Sequence, residues 1–305
     1  MEQGKATQRK KIKRRISGCL ICLYVIFSIV VFTQGKWDVV FSLCNLTEKP
    51  ESDLPFTVRV FSVGSADCIL LQNEDHAMLI DAATADLGIE IAQTLHRLGV
   101  EQLDYVIATH PHDDHIGGLS EILTRIPARQ ALISPMQSLK NMDSYRQLCA
   151  IFDKHSVPVH VSVAGECFYF ADRAKIQILS AGVPSENQNE ASLVIRITYG
   201  NISMLFMGDG ETESEESLLT SKTTLQSDFI KLGHHGSKTS SSLRFLQAVS
   251  PSYVAVSCGE ASEIAEETLL NLDEMGLKAY RTDLNGTLLF ATDGTLCEMK
   301  CAEDQ

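Results

Sequence analysis

The run Thr109-His110-Pro111-His112-Asp113-Asp114-His115-Ile116-Gly117-Gly118 places three histidines and two aspartates within six residues. Its flanks fix what it can sit on. Upstream, Leu103-Asp104-Tyr105-Val106-Ile107-Ala108 is a short apolar run rich in β-formers and reads as a buried strand. Downstream, the two glycines open Leu119-Ser120-Glu121-Ile122-Leu123, which reads as the start of a helix. A strand, a tight polar loop and a helix in that order specify an α/β fold, with the loop at the C-terminal end of a strand where such sheets place their chemistry.

Imidazole and carboxylate are good ligands for zinc, manganese or iron. His110 and His112 are two residues apart, so extended backbone points them the same way. Asp114 and His115 can then turn toward a second ion. A site with two metals activates a bridging water and holds the attacked group between two positive charges.

Two later loops also end strands with ligand-type residues. The strand Met204-Leu205-Phe206-Met207-Gly208 leads into Asp209, and glycine there permits close backbone approach. The strand Asp228-Phe229-Ile230-Lys231-Leu232 leads into Gly233-His234-His235-Gly236-Ser237. Adjacent histidines at a strand end point opposite ways, so at most one binds an ion directly. Further strands are expected at 57–63, 68–72, 77–80, 191–198, 202–207, 253–257, 278–281, 286–291 and 295–300. Leu87, Ile91, Leu95 and Leu98 recur at helical spacing, which predicts an amphipathic helix over 86–98. More helices are expected over 212–220, 241–249 and 262–275, and Tyr199-Gly200-Asn201 is a hairpin signal. His155 and His160 have no ligand-like context and read as surface or edge residues. Cys297 and Cys301 share a face of one terminal strand, poor geometry for a disulfide.

The His-x-His-x-Asp-His cluster with its glycines resembles the metallo-β-lactamase superfamily, from about residue 55 to about residue 300. Several motifs narrow the resemblance to the metallo-hydrolase domain of ComEC-type competence proteins. They are Phe61-Ser62-Val63-Gly64-x-x-Asp67, Leu79-Ile80-Asp81, Thr109-His110-Pro111-His112, Asn189-x-x-Ser192-Leu193-Val194, Gly208-Asp209, His234-His235-Gly236-Ser237-Lys238-Thr239-Ser240 and Tyr280-Arg281-Thr282-Asp283-x-Asn285-Gly286-Thr287. Nothing in the chain resembles that family's multi-helix DNA channel. The resemblance implies an αββα four-layer sandwich, two mixed sheets flanked by helices, over residues 56–305. It implies one or two divalent ions, Zn²⁺ or Mn²⁺, held by His110, His112, Asp114, His115, Asp209 and His235. Asp114 would orient the attacking water and His234 would serve as general acid or as a support for the ligands. The sequence leaves the roles of His234 and His235 open to exchange. Asp67 and Asp81 would hold loops and ligand histidines, with Asn189, Ser192 and Asp283 nearby. Ser237, Lys238 and Thr239 could touch a phosphate, or the hydroxyls could instead cap the next helix.

Two departures stand out. Most of the superfamily supplies another histidine between the first cluster and Asp209, and here that loop reads Asn187-Gln188-Asn189-Glu190-Ala191-Ser192. The ion position served by His110, His112 and Asp209 therefore needs water or an amide oxygen to complete it, which favours Mn²⁺ or a loosely held second ion. Ser65-Ala66 also replaces the usual Gln-Gly before Asp67.

Charge divides the chain unevenly. Residues 1–15 carry net +6, leaving −19 on the rest. So acidic a body opposes a broad nucleic-acid-binding face. Residues 16–33 are free of charge and just long enough to span a bilayer, and the basic flank should stay cytoplasmic. This predicts a membrane signal anchor with the catalytic domain outside, the alternative being a cleaved signal peptide. Residues 34–55 read as a linker. The expected function is a membrane-anchored, extracytoplasmic phosphodiesterase acting on a phosphodiester such as DNA. The rivals are a phosphocholine or teichoic-acid esterase of the cell envelope, an ester, thioester or lactone hydrolase, and a metal-stabilised binding domain.

Overall fold

The structure, a computed structural model, describes residues 52–135, 143–171, 173–259 and 264–301. The basic tail, the apolar segment 16–33 and the linker up to residue 51 lie outside the described residues. Among the described residues no helix is long and apolar enough to cross a membrane.

Alternating apolar residues build two sheets face to face. The first contains β1 (Phe56–Val60), β2 (Ile69–Asn73), β3 (His76–Ile80), β4 (Leu103–Ala108), β5 (Ala128–Ile133), β6 (Val159–Val161), β14 (Leu288–Thr292) and β15 (Cys297–Cys301), in the spatial order β15-β14-β1-β2-β3-β4-β5-β6. The second contains β7 (Cys167–Phe170), β8 (Ala174–Ala181), β9 (Leu193–Tyr199), β10 (Ile202–Phe206), β11 (Phe229–Lys231), β12 (Tyr253–Val256) and β13 (Ala279–Arg281), in the order β13-β12-β11-β10-β9-β8-β7. Each sheet is mixed: β3 to β6 and β10 to β13 pair in parallel, and the remaining strands pair antiparallel.

The inner faces bury Val58, Leu71, Met78 and Ile80 against Ile176, Ile195, Ile197, Met204 and Phe206. Phe229 and Phe290 pack across this layer as a tilted pair with ring centroids 4.9 Å apart. Burying side chains of this size contributes about 1.5–3 kcal/mol each, so this layer dominates stability. Strand neighbours alternate faces. Leu205, Ile230 and Val254 accordingly point outward, under Leu218 of α5 (Thr212–Thr220), Phe245, Leu246 and Val249 of α6 (Leu243–Val249) and Leu272 of α7 (Glu266–Glu274). Leu70, Leu79 and Val106 are buried on the other outer face. Helices α1 (Gly88–Arg97), α3 (Leu119–Arg125) and α4 (Asp143–Lys154) follow β3, β4 and β5, with buried Ile91, Leu95, Leu119, Ile122, Leu148 and Phe152. This is the αββα arrangement.

The first helix starts at Gly88 instead of residue 86, because Ala85–Leu87 form a 3-10 turn. The His-rich segment is not a plain loop either, since Asp113–Ile116 close a helical turn, α2. The glycines after it serve close approach between loops. A Cβ on Gly118 would lie 2.2 Å from the Ala82 carbonyl oxygen, and one on Gly117 2.6 Å from the Ala85 nitrogen. Cys297 and Cys301 are free thiols.

Candidate metal centre

The parallel strands deliver their C-terminal ends to one edge of the sandwich. Asp81 follows β3, and His110 to His115 follow β4. Asp209 follows β10, His234 and His235 follow β11, and Ser257 follows β12. Asp67 lies between β1 and β2, where its backbone N–H donates to the Asp114 carbonyl at 3.1 Å. Gln188–Ala191 form a 3-10 turn ahead of β9, and Ser192 comes next.

Two groups of ligand atoms share one carboxylate. Asp114, His115, Asp209 and His235 offer atoms all within 4.8 Å of one another, and so do His110, His112 and Asp209. Asp209 Oδ1 is 3.2 Å from His115 Nε2 and 3.7 Å from His235 Nε2. Its Oδ2 faces His110 Nε2 at 3.8 Å. Asp114 Oδ2 lies 3.7 Å from His115 Nε2 and 3.6 Å from His235 Nε2. His110 Nε2 and His112 Nδ1 are 2.9 Å apart. His115 Nε2, His235 Nε2 and Asp209 Oδ1 are buried without a hydrogen-bond partner among the described residues. Buried polar atoms are normally satisfied, so three orphans converging on one point fit a divalent cation.

Each histidine is held from behind, as ligating imidazoles usually are. His115 Nδ1 is 2.8 Å from Asp81 Oδ2. His112 Nε2 is 2.8 Å from the Gln188 amide oxygen, which leaves Nδ1 facing inward. His110 Nδ1 lies 3.2 Å from Thr109 Oγ1 and 3.4 Å from Ser192 Oγ. The Thr109 hydroxyl donates to Asp81 Oδ2 at 2.7 Å, so Asp81 serves two histidines. Ser192 Oγ accepts from the Asp209 backbone N–H at 3.0 Å. Gly208, at φ +53°, brings that backbone against Thr109 and Ser192.

The charges suit a positive centre. Burial works to raise Asp209, but His115, His110 and His235 hold it well below the carboxylate range. Asp114, likewise raised by burial but beside His235 and His115, is held at about 2. Burial drives His110 well below the imidazole range, so it is neutral with a free lone pair. Burial also works downward on His115 and His235. Asp209 and Asp81 nevertheless raise His115 strongly, and Asp114 and Asp67 raise His235. Asp67, Asp81, Asp114 and Asp209 thus bring negative charge to a buried centre.

His234 and His235 do diverge, for a reason other than strand alternation. Both lie in left-handed backbone, φ 41° and 53°, inside the turn Gly233–Gly236. Such conformations are uncommon outside glycine and concentrate at functional sites. His235 faces Asp114 and Asp209. His234, a third exposed, turns to Glu211, with Nδ1 2.5 Å from Oε1. Asn189 Nδ2 is 2.9 Å from the same oxygen and 3.3 Å from His234 Nδ1.

Three predicted residues stay out of the cluster. Ser237 Oγ pairs with Thr239 Oγ1 at 3.1 Å, and Lys238 is exposed. The next helix is capped by Ser242 instead. Asp283 is engaged by Arg281 at 2.6 Å and by the Cys258 thiol at 3.1 Å. His160 pairs with Glu166 at 2.9 Å, as an edge residue can. The sequence reading missed Thr109, Gln188, Glu211, Ser257 and Lys231. Of these, Thr109 stands in the His-rich run, Gln188 in the loop noted above for its amide oxygens, and Lys231 is a charge inside an otherwise apolar strand.

The sequence model of the metallo-beta-lactamase superfamily matches residues 62–147. Among solved structures, the metallo-beta-lactamase fold protein YhfI from Bacillus subtilis superposes with a TM-score of 0.53 at 13% identity, covering 74% of this chain and 96% of that one. Fold, ligand cluster and match together define a metallo-beta-lactamase-superfamily domain. Its sequence relatives are more specific. ComE operon protein 3 of Bacillus subtilis is 29% identical over 196 residues, 63% of this chain and 25% of the relative. Competence protein ComA of Neisseria gonorrhoeae is 30% identical over 267 residues, 83% of this chain and 35% of the relative. These are ComEC-type competence proteins, and this chain resembles their metallo-hydrolase domain. The chain spans a quarter to a third of the length of these curated relatives.

Proposed function

We propose that the chain is a metal-dependent phosphodiesterase, anchored by residues 16–33 with its catalytic domain outside the membrane. The observation that carries the reading is the sharing of Asp209 between two ligand groups, with buried nitrogen and oxygen atoms left free at the centre. Zn²⁺ or Mn²⁺ bound there supplies Lewis acidity toward water and phosphoryl oxygens. His115, Asp114, His235 and Asp209 would hold one ion, and His110, His112 and Asp209 the other.

The remaining steps belong to the chain's own groups. The Asp114 carboxylate, a third exposed and held ionised, accepts a hydrogen bond from the attacking water and fixes its line of approach. Glu211, itself held by the Asn189 amide, holds His234 at the rim, where its other ring nitrogen donates a proton to the departing oxygen.

DNA is the substrate that the relatives' competence names suggest. The −19 charge outside residues 1–15 favours a second reading, a small or surface-bound envelope phosphoester. The deciding assay loads the full chain with Mn²⁺ or Zn²⁺ and offers single-stranded DNA, double-stranded DNA and a phosphocholine ester, with Asp209→Asn as control. DNA cleavage by the parent alone supports the nuclease. Phosphocholine release alone moves the assignment to the envelope. No turnover of any substrate by a metal-loaded parent refutes the phosphodiesterase reading.

A further inference from the structure

Lys231, at the end of β11, is fully buried. A lysine is rarely enclosed in an apolar core without a partner and a purpose. Its ammonium lies 2.7 Å from Asp67 Oδ2 and donates to the Leu232 carbonyl at 3.0 Å. Asp67, itself buried, uses its other oxygen to accept from the Ser257 hydroxyl. Ser257 Oγ and the Ser257 carbonyl oxygen lie 3.1 Å and 3.0 Å from His235 Nδ1. Four buried groups thus run in one line from Lys231 to a ligand histidine, joining the ends of β11 and β12 to the β1–β2 turn.

The direction of these hydrogen bonds is determined. Ammonium has only protons to give, so Asp67 accepts. A carboxylate can only accept, so the single Ser257 proton goes to Asp67. Ser257 Oγ and its carbonyl oxygen are then both acceptors toward His235, whose Nδ1 must carry the hydrogen. The lone pair therefore sits on Nε2, the buried atom that faces Asp114 and Asp209 without a partner. Running the chain the other way would put hydrogen on Nε2, where a metal ligand needs a lone pair.

We propose that Lys231 is a positioning residue that sets, through Asp67 and Ser257, the tautomer and aim of His235. This rests on the metal-centre reading above. It assigns a role to a residue that touches neither ion nor substrate. It also explains why a cation is buried here when a neutral side chain could join the same elements.

The test uses the full chain stripped of metal and titrated with Co²⁺, whose visible absorption reports each site. In parallel, ¹⁵N NMR of the histidine rings reads the His235 tautomer with no metal present. Lys231→Met should weaken one Co²⁺ site by about 10–100-fold, the usual range for losing an outer hydrogen-bond partner. The site at His110 and His112 should change by less than about threefold, being held by Gln188, Thr109 and Ser192 instead. The form of His235 with hydrogen on Nδ1 should lose population, because Asp67 without its ammonium holds the Ser257 proton less firmly while the Ser257 carbonyl still accepts from Nδ1. Glu190→Gln, a buried change elsewhere, controls for general destabilisation. Ser257→Ala keeps the Lys231–Asp67 pair and breaks the middle of the line. It should cost the same site roughly tenfold, since the carbonyl acceptor remains. It also decides the matter if Lys231→Met does not fold.

Unchanged Co²⁺ affinity with an unchanged tautomer in the folded variants overturns the proposal. So does an equal loss in Glu190→Gln, which would make Lys231 a structural tie only. A parent that binds no Co²⁺ would instead refute the metal reading, and the tautomer measurement would still decide the role of Lys231.

Discussion

Glu190 is almost wholly buried and lies in the turn just before Ser192. Its Oε1 accepts from the Glu213 N–H at 2.9 Å. Its Oε2 accepts from the Ser214 N–H at 2.9 Å, the Ser214 hydroxyl, and the Glu211 N–H at 3.4 Å. Helix α5 receives no cap from its own N-cap residue, Glu211. A carboxylate 21 residues before the N-cap therefore does what an N-cap side chain does, on the second and third helical N–H groups. Glu190→Ala removes the cap, at about 1 kcal/mol. It also strands the fully buried Ser214, at about 1–3 kcal/mol more. The sum is about 3 kcal/mol, or about 6–12 °C in melting temperature for a domain of this size. Glu190→Gln keeps one accepting oxygen and should lose about half as much. Thermal unfolding of parent and both variants at one pH and one metal concentration measures this. A Glu190→Ala variant within about 0.5 kcal/mol of the parent would refute the capping role. Equal losses in the two variants would refute the division of labour between the oxygens.

Burial raises Glu215 to about 7, although the Ser241 and Ser242 N–H groups and the Ser242 hydroxyl all hydrogen-bond to it. The folded protein then keeps a proton that the unfolded chain releases above its ordinary 4.5, so stability falls as pH rises from about 4.5 to about 7. The parent should gain about 3 kcal/mol over Glu215→Gln as pH falls through that window, and a pH-independent difference in urea unfolding would exclude it. Gly118→Ala drives a Cβ into the Ala82 carbonyl at 2.2 Å, so it should destabilise by about 1–3 kcal/mol and weaken Co²⁺ binding. Normal stability and normal metal affinity would show that the loops slide apart freely. Adding Mn²⁺ or Zn²⁺ at about 100 times its dissociation constant should raise stability by about 2.7 kcal/mol, reversed by chelator. Calorimetry that shows no metal-dependent shift would remove the cation from the site.

The ligand cluster was legible because its chemistry is local. Three strand-to-loop boundaries each present His or Asp beside glycine, and a run of alternating apolar residues marks each strand. The sandwich followed through resemblance to a family. Element ends were less legible: Ala85–Leu87 and Asp113–Ile116 tighten into turns whose hydrogen bonds depend on loops packed against them. Supports that act across sequence were invisible for the same reason. Gln188 meets His112 across 76 residues, Lys231 meets Asp67 across 164, and Ser257 meets Asp67 across 190. Spacing carries no information about such pairs. Asp283, which a motif match grouped with the site, pairs with Arg281, a local contact that spacing alone does not announce.

The ligand set is drawn from both sheets. His110, His112, Asp114 and His115 hang from the eight-stranded sheet, and Asp209 and His235 from the seven-stranded one. A bound cation would therefore add a rivet between two halves already joined by apolar contact and by ties such as Lys231 to Asp67. Prying the layers apart means first ejecting the rivet, so the loaded protein should resist proteolysis in proportion to how slowly the ion leaves. Stripped of its ions, the same edge is where the sandwich would first gape.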